Sequence, residues 1–263
     1  MYRYETHMHT CQSSACGRST GAEHARFYKE RGYTGIIITD HFFGGNTAAP
    51  RRGDWKDRIE AFCAGYKDAK AEGDRIGLDV FFAWEETFEG DDYLVYGLDE
   101  EWLLAHPEVE HWTRQEQFEQ VHRDGGCVIQ AHPFRCWDYI HAIHLGLDLV
   151  DGVEVANGGN LPLWDAYAQR YAEEYGLYRT TGSDNHLSQP GKTLFGIGTE
   201  RRLTDIHDWV DTVLQRKPIT LLLEDPDRLV LPEGDRRLPL SCWMHNSKNE
   251  KIRYRQPWLQ DAR

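Results

Sequence analysis

The sequence predicts an α/β domain built on a mostly parallel sheet that closes into a barrel. Short apolar runs alternate with amphipathic helices through most of the 263-residue chain, as in repeated βα units. The length of the chain and the number of these units favour a barrel over an open, doubly wound sheet. Histidines and carboxylates follow the predicted strands directly, at the end that carries the active site in β/α barrels.

The strands are predicted from short apolar runs. The first strand is predicted near the start of the chain, in YRYETHMH, with His7 and His9 at its end. The second is GIIIT at residues 35–39, a continuous run with β-branched side chains, as in a buried parallel strand. Five further strands are predicted at residues 78–84, 93–97, 126–130, 152–156 and 177–181.

The helices are predicted from capping residues and helical spacing of apolar side chains. Thr20 and Glu23 form one capping box, and Thr113 and Glu116 form a second. Helices are predicted at residues 20–32, 54–73, 113–124, 161–176 and 204–217.

The C-terminal residues differ from the rest of the chain. Residues 226–263 contain four prolines and many charges without a clear period. We therefore predict a domain over residues 1–225 and a short irregular extension over residues 226–263.

Composition excludes some classes of function. The formal net charge of −13 argues against tight, charge-driven binding to nucleic acid or to anionic membranes. An anionic substrate stays open, because bound metal ions can invert the local field. No apolar run is long enough to span a bilayer, no signal peptide is visible, and the six cysteines form no C-x-x-C pair, so we predict a cytoplasmic protein. The oligomeric state is not indicated.

Potential metal ligands stand at the strand ends. His7 and His9 are two residues apart, so in a strand they would point to the same face, although an isolated pair of this kind usually faces solvent. The other potential ligands that follow predicted strands are His41, Glu85, His132, Asp184 and His186. Imidazoles with carboxylates suit Zn, Mn or Fe, and seven ligands exceed the needs of one four-coordinate ion. The sequence therefore predicts two or three divalent ions.

A cluster of two or three ions indicates a reaction. Such clusters activate a hydroxide near neutral pH and clamp the attacking and leaving oxygens of a displacement. Hydrolysis of a phosphate ester is the reaction that this geometry serves best.

The chain resembles the PHP (polymerase and histidinol phosphatase) superfamily. The matching stretches, in the family's order, are THMHT, IITDH, AWEE, IQAHPFR, VEVANG and TGSDNH. The resemblance implies a distorted (β/α)7 barrel with three divalent ions. Carried over, it implies that one ion is held by His7, His9, Glu85 and Asp184, a second by Glu85 and His132, and a third by His41 and His186.

Two positions depart from the family pattern. PHP enzymes usually have an aspartate or histidine where this chain has Ser14 and Ala15, so the third ion could be weak, absent, or completed by Gln12 or Cys16. A histidine that usually follows the motif glutamate is also missing, and Asp92 is the nearest candidate to replace it.

Roles are assigned on this basis. We predict Glu85, Asp184 and His186 as catalytic residues and Arg135, Lys192 and Asn157 as contacts to a small phosphorylated substrate, such as a nucleotide, a sugar phosphate or a molecule like histidinol phosphate. Two alternatives stay open. The first is an amidohydrolase, although no lysine follows a middle strand, and the second is an inactive metal-binding scaffold of the PHP type.

Overall fold

The computed structural model describes residues 1–233, 240–248 and 250–255, and all elements below lie in these ranges. The strands are β1 (Tyr2–Glu5), β2 (Gly35–Ile38), β3 (Asp79–Phe88), β4 (Asp91–Tyr96), β5 (Cys127–Gln130), β6 (Ile143–Leu145), β7 (Gly152–Asn157), β8 (Tyr178–Gly182), β9 (Gly196–Thr199), β10 (Thr220–Leu222), β11 (Cys242–His245) and β12 (Lys251–Arg253). The helices are α1 (Gly21–Glu30), α2 (Trp55–Phe62), α3 (Ala64–Ile76), α4 (Glu100–Ala105), α5 (Arg114–Arg123), α6 (Pro162–Tyr175) and α7 (Ile206–Leu214). Short 3-10 helices span Pro107–His111 and Pro226–Leu229.

The main sheet is nearly closed into a barrel, which confirms the predicted fold class. In the described part of the chain it contains nine strands in the order β10-β9-β1-β2-β3-β4-β5-β7-β8. The pairs β1-β2, β2-β3, β5-β7 and β7-β8 are parallel. The pairs that involve β4, β9 and β10 are antiparallel, so the sheet is mixed rather than mostly parallel.

The antiparallel part of the sheet begins at a tight hairpin. Glu89 and Gly90 connect β3 to β4 with φ angles of 49° and 92°, the left-handed values that two-residue hairpin turns require. No helix can fit into a two-residue connection, so β4 returns beside β3 instead of continuing the βα alternation.

Both predicted capping boxes are present at the starts of α1 and α5. The helix predicted over residues 54–73 is instead divided into α2 and α3 at Cys63, whose ψ is 0°. The start of α3 packs closely against the loop after β1. There is no room for a side chain at Gly65, since a Cβ at that position would come within 1.9 Å of the Thr10 hydroxyl. The Gly65 amide donates to Ser13, and this contact fixes the loop that follows His9.

Alternation along β3 separates the core from the barrel interior. Trp84 is fully buried and packs with Phe42 and Trp102 in an aromatic layer under the helices, at ring distances of 5.9 and 6.0 Å. The next residue, Glu85, therefore points to the opposite face of the sheet. Loss of the Trp84 ring would cost about 3–5 kcal/mol, as for other large core aromatics.

The C-terminal extension is more regular than predicted in its described residues. Strand β11 pairs in parallel with β6 and antiparallel with β12, because the backbone of β6 is not part of the barrel sheet and is free to pair. Arg228 forms an ion pair with the buried Asp165 of α6 at 2.7 Å. A domain boundary at residue 225 stays a prediction.

Among the described residues, no helix combines the length and the apolar character that crossing a bilayer requires. The cytoplasmic location stays a prediction.

Candidate metal centre

The barrel brings the seven predicted ligands to one end of the sheet, with Glu85 at the centre. The two Glu85 carboxylate oxygens lie within 3.4 Å of four imidazoles. The four partner nitrogens and their distances are His7 Nε2 at 3.2 Å, His9 Nε2 at 3.4 Å, His41 Nδ1 at 2.8 Å and His132 Nε2 at 3.4 Å. Glu85 is fully buried, so these contacts replace water entirely.

Asp184 faces the same point from β8. Its Oδ1 lies 3.1 Å from His9 Nε2, 3.6 Å from His7 Nε2 and 3.5 Å from His186 Nδ1. Three overlapping groups could each hold an ion, since one ligand atom per residue lies within 4.8 Å of the others. These groups are His7 with His9 and Asp184, His7 with Glu85 and His132, and His9 with His41 and His186.

The donor set fits divalent metal ions. Within the described residues, neither Glu85 oxygen receives a hydrogen bond of good geometry, although both are buried. The Nε2 atoms of His7 and His9 also face each other at 3.1 Å, so when both imidazoles are neutral with the proton on Nδ1, their lone pairs point to a common position that a cation can occupy. Buried, converging nitrogen and carboxylate donors suit Zn, Mn or Fe.

Burial and charge act together on the acidic ligands. Burial alone would raise the pKa of Glu85, but the charges on His41 and His7 outweigh it and hold that pKa well below its usual range. Burial would likewise raise the pKa of Asp184, but the charges on His7 and Arg135 outweigh it and hold that pKa well below its usual range. Both carboxylates are therefore ionised and ready to bind cations at neutral pH.

Two of the predicted ligands have left-handed backbone conformations. The φ angles are 30° for His132 and 49° for Asp184, and each residue lies two positions after the last residue of a strand, β5 or β8. Non-glycine residues at such angles cost of order 1–3 kcal/mol and concentrate at functional sites. The sharp turns direct both side chains inward, toward Glu85.

Glu154 of β7 contacts two of the predicted ligands. Its Oε1 lies 3.0 Å from His7 Nδ1, and its Oε2 accepts hydrogen bonds from the His132 amide and from Asn157. With the proton on Nδ1, His7 presents Nε2 as a free lone pair toward the centre.

We predict that Glu154→Gln weakens metal binding about 10–100-fold, the effect typical of such supporting partners. The neutral amide cannot hold the proton on His7 Nδ1 as strongly and would turn an N–H group toward existing donors. Isothermal titration of the metal-free protein with Zn²⁺ measures the change, with the exposed Glu173→Gln on α6 as the control. Equal affinity in both variants would contradict the role assigned to Glu154.

The departures from the family pattern have structural counterparts. Asp92 on β4 lies 3.7 Å from His132 Nε2 and lines the adjoining cavity, and its role in place of the missing histidine stays a prediction. The Ser14 hydroxyl donates to Asp40 and accepts from the His41 amide. These two hydrogen bonds hold the loop together and use the Ser14 oxygen. Gln12 points away from the centre, bonded to Asp68 and to the Gly21 amide.

A cavity of about 830 Å³ opens above the ligands. It is large enough for a drug-sized or nucleotide-sized molecule, since such sites span roughly 300–1,000 Å³. Of the predicted substrate contacts, Arg135 and Lys192 line it. The Arg135 guanidinium also donates to Asp184 at 2.7 Å, so it holds a ligand as well as facing the cavity.

Asn157 does not fit its predicted role as a substrate contact. Its side chain is fully buried behind the cavity, where its amide group donates to Glu154 and its oxygen accepts from Arg135. The reason is that Asn157 ends β7 within the sheet, and its polar atoms are used to hold other site residues.

Several residues that line the cavity were not predicted from the sequence, and three of them have large side chains. They are Arg51, Trp137 and Tyr139, on the loops after β2 and β5. Trp137 and Tyr139 are 40% and 65% exposed, which is unusual for large aromatic side chains. Their only sequence signal is their position within loops that follow ligand-bearing strands.

A second group of histidines lies outside this centre. His144 Nδ1 and His245 Nε2 are 2.8 Å apart, and Glu89 lies 3.8 Å from His144. Arg114 and Lys251 already pair with the Glu89 carboxylate, so its charge is compensated without an ion. This agrees with a structural role, in which the pair joins β11 to β6.

Glu86, the residue after Glu85 on β3, is expected to make the stability of the protein depend on pH. Burial raises the pKa of its carboxyl from 4.5 to about 8, despite hydrogen bonds from the amides of Thr87 and Gly44. The folded state thus binds this proton more tightly than the unfolded chain, so the free energy of unfolding falls as pH rises from 4.5 to 8.

We predict that Glu86→Gln removes this fall and stabilises the protein by on the order of 2 kcal/mol at pH 8, with little effect near pH 4.5. Thermal unfolding of the metal-free protein and the variant across this pH range measures the difference. A constant difference between the two proteins at every pH would contradict it.

Comparisons with known proteins support the fold. No family model matches the sequence, and no curated protein matches it significantly. A two-domain protein from Bacteroides vulgatus, described as containing a predicted PHP-like metal-dependent phosphoesterase, is 16% identical over 84% of this chain with a TM-score of 0.56. PsfC from Pseudomonas syringae is 20% identical over 87% of this chain and 94% of its own, with a TM-score of 0.53.

These likenesses confirm a PHP-like barrel at the level of the fold. The matched region spans 64% of the length of the two-domain protein.

Proposed function

We propose that this chain hydrolyses a phosphate ester on a small molecule, with two or three divalent ions held by His7, His9, His41, Glu85, His132, Asp184 and His186. The main support is the buried Glu85 carboxylate, which four imidazoles contact at the base of an open cavity. When bound, the ions would lower the pKa of a coordinated water and offset the charge of the phosphate.

The residues around the ligands have two further roles, which are to orient the ligands and to bind the substrate. Glu154 orients His7 and His132, and Arg135 holds Asp184 in its ionised form. Lys192 and Arg51 line the cavity, where they can bind phosphate oxygens that the ions leave free.

The organic part of the substrate would extend from the ligands toward Trp137 and Tyr139. Their exposed rings line one side of the cavity and offer apolar surface at low cost in side-chain entropy. A nucleotide or a sugar phosphate fits both the cavity volume and this mixture of cationic and aromatic surface.

The test is a screen of phosphate esters with purified protein. The protein is stripped with a chelator, reloaded with Zn²⁺ or Mn²⁺, and assayed for phosphate release from nucleotides, sugar phosphates and histidinol phosphate. We expect release that disappears on stripping and returns on reloading, and anomalous scattering from at least two ions about 3.5–4 Å apart. Full metal content with hydrolysis of amides only would favour an amidohydrolase, and full metal content with no hydrolysis would favour an inactive scaffold.

A further inference from the structure

Cys16 lies where the third group of ligands needs a negative charge. Cys16 lines the cavity together with His41 and His186, and its thiol lies close enough to both imidazoles to interact with them. His9 completes this group, with ring centroids 4.3 Å from His41 and 4.5 Å from His186. Imidazoles are neutral ligands, so without a further group they offset none of the charge of a dication.

The other residues near this position are already committed. Ser14 is bonded to Asp40 and to the His41 amide, and Ala15 has no donor atom. Gln12 is held by Asp68, away from the cavity. Of the residues on this loop, Cys16 therefore offers the ligand atom that faces the two imidazoles.

The backbone holds the thiol in place. The Ala15 amide donates to the carbonyl of Asn46 on the loop after His41, and the Arg18 amide donates to the carbonyl of His186. A Cβ on Gly17 would come within 2.3 Å of the Thr10 carbonyl oxygen, so the loop packs tightly against the strand end. Backbone contacts thus hold the loop that carries Cys16 next to the loops that carry His41 and His186.

We infer that Cys16 is a thiolate ligand which, with His41 and His186, binds a divalent ion of the softer kind, Zn²⁺ or Fe²⁺. As the bond from Sγ to the metal forms, the S–H bond breaks and its proton leaves to solvent, so no oxidant or reductant is needed. Thiolate and imidazole ligands favour such ions over Mn²⁺ and Mg²⁺. The assignment rests on the metal binding in the proposed function, and not on which bond is hydrolysed.

Cobalt substitution tests this assignment without an activity assay. Metal-free protein is titrated with Co²⁺ and followed by absorption, because a cobalt–thiolate bond gives a charge-transfer band in the near ultraviolet that imidazole and carboxylate ligands do not give. We expect the band in the wild type and in Cys11→Ser, whose exposed thiol lies on the same loop. We expect Cys16→Ser to lose the band and to retain one Zn²⁺ fewer per chain.

A second readout uses the wild type and so does not depend on how well a variant binds metal. Zn²⁺ should protect Cys16 but not Cys11 from alkylation, as measured by peptide mass spectrometry. Cys16→Asp should keep the ion without the band and bind Mn²⁺ more tightly relative to Zn²⁺ than the wild type does.

The outcomes separate this inference from the proposed function. A cobalt-loaded wild type with phosphatase activity but no thiolate band, or a band that persists in Cys16→Ser, would overturn the role of Cys16 alone. A chain that binds no Co²⁺ or Zn²⁺ would overturn both.

Discussion

Glu85→Gln is expected to reduce turnover of a phosphate ester by on the order of 10³-fold or more and to remove at least one metal ion per chain. The effect should exceed the 10–100-fold typical of supporting residues, because Glu85 itself contacts four of the predicted ligand imidazoles. Glutamine has the same shape but no charge, and only one of its two terminal atoms can bind a metal.

The neighbouring residue supplies a matched control for this variant. Glu86→Gln makes the same chemical change one position along β3, where the side chain is held by the amides of Thr87 and Gly44. Metal content by mass spectrometry, phosphate release and circular dichroism should be measured for both variants. Full metal content in Glu85→Gln, or equal losses in the two variants, would show that Glu85 is not a ligand.

The convergence of the predicted ligands could be anticipated because the sheet fixes the positions of its strand ends. In parallel strands, a residue just beyond the C-terminal end is directed to one edge, so His7, His41 and His132 converge whatever the intervening helices do. Glu85 could be assigned with them because β3 extends past its parallel partner and still alternates inward.

Loop residues were less predictable, because backbone hydrogen bonds far apart in sequence place them. Cys16 reaches His186 through contacts that cross about 170 residues, and Arg51 lies on a long loop after β2. Asn157 shows the reverse case. Its position at a strand end predicted a substrate contact, but a bulge between Glu154 and Ala156 and bonds to its neighbours keep it within the sheet.

The direction of the strands was predicted only in part. The runs at residues 78–84 and 93–97 were identified as strands, but their antiparallel pairing depends on the left-handed turn at Glu89 and Gly90. Glutamate is an uncommon residue at such an angle, so the usual sequence signal of a tight hairpin is missing.

Asp184→Asn is the second change with a large expected effect. Asp184 has a φ of 49°, and asparagine is among the few residues that adopt such angles readily, so the backbone and the inward direction of the side chain should persist. The substitution therefore removes the charge facing His7, His9 and Arg135 with little change in shape. Turnover should fall by on the order of 10³-fold or more, beyond the range of supporting residues.

Asp138→Asn is the control for this variant, because it removes the same charge from an exposed position between Trp137 and Tyr139 on the loop that borders the cavity. Alanine at position 184 is less informative, since it would add backbone strain to the loss of the ligand. Zn²⁺ affinity, phosphate release and thermal unfolding should be compared in the two asparagine variants. If Asp184→Asn kept wild-type turnover of a verified substrate, Asp184 would not be a metal ligand. If it lost activity only by unfolding, the left-handed turn after β8 would depend on the ion pair with Arg135.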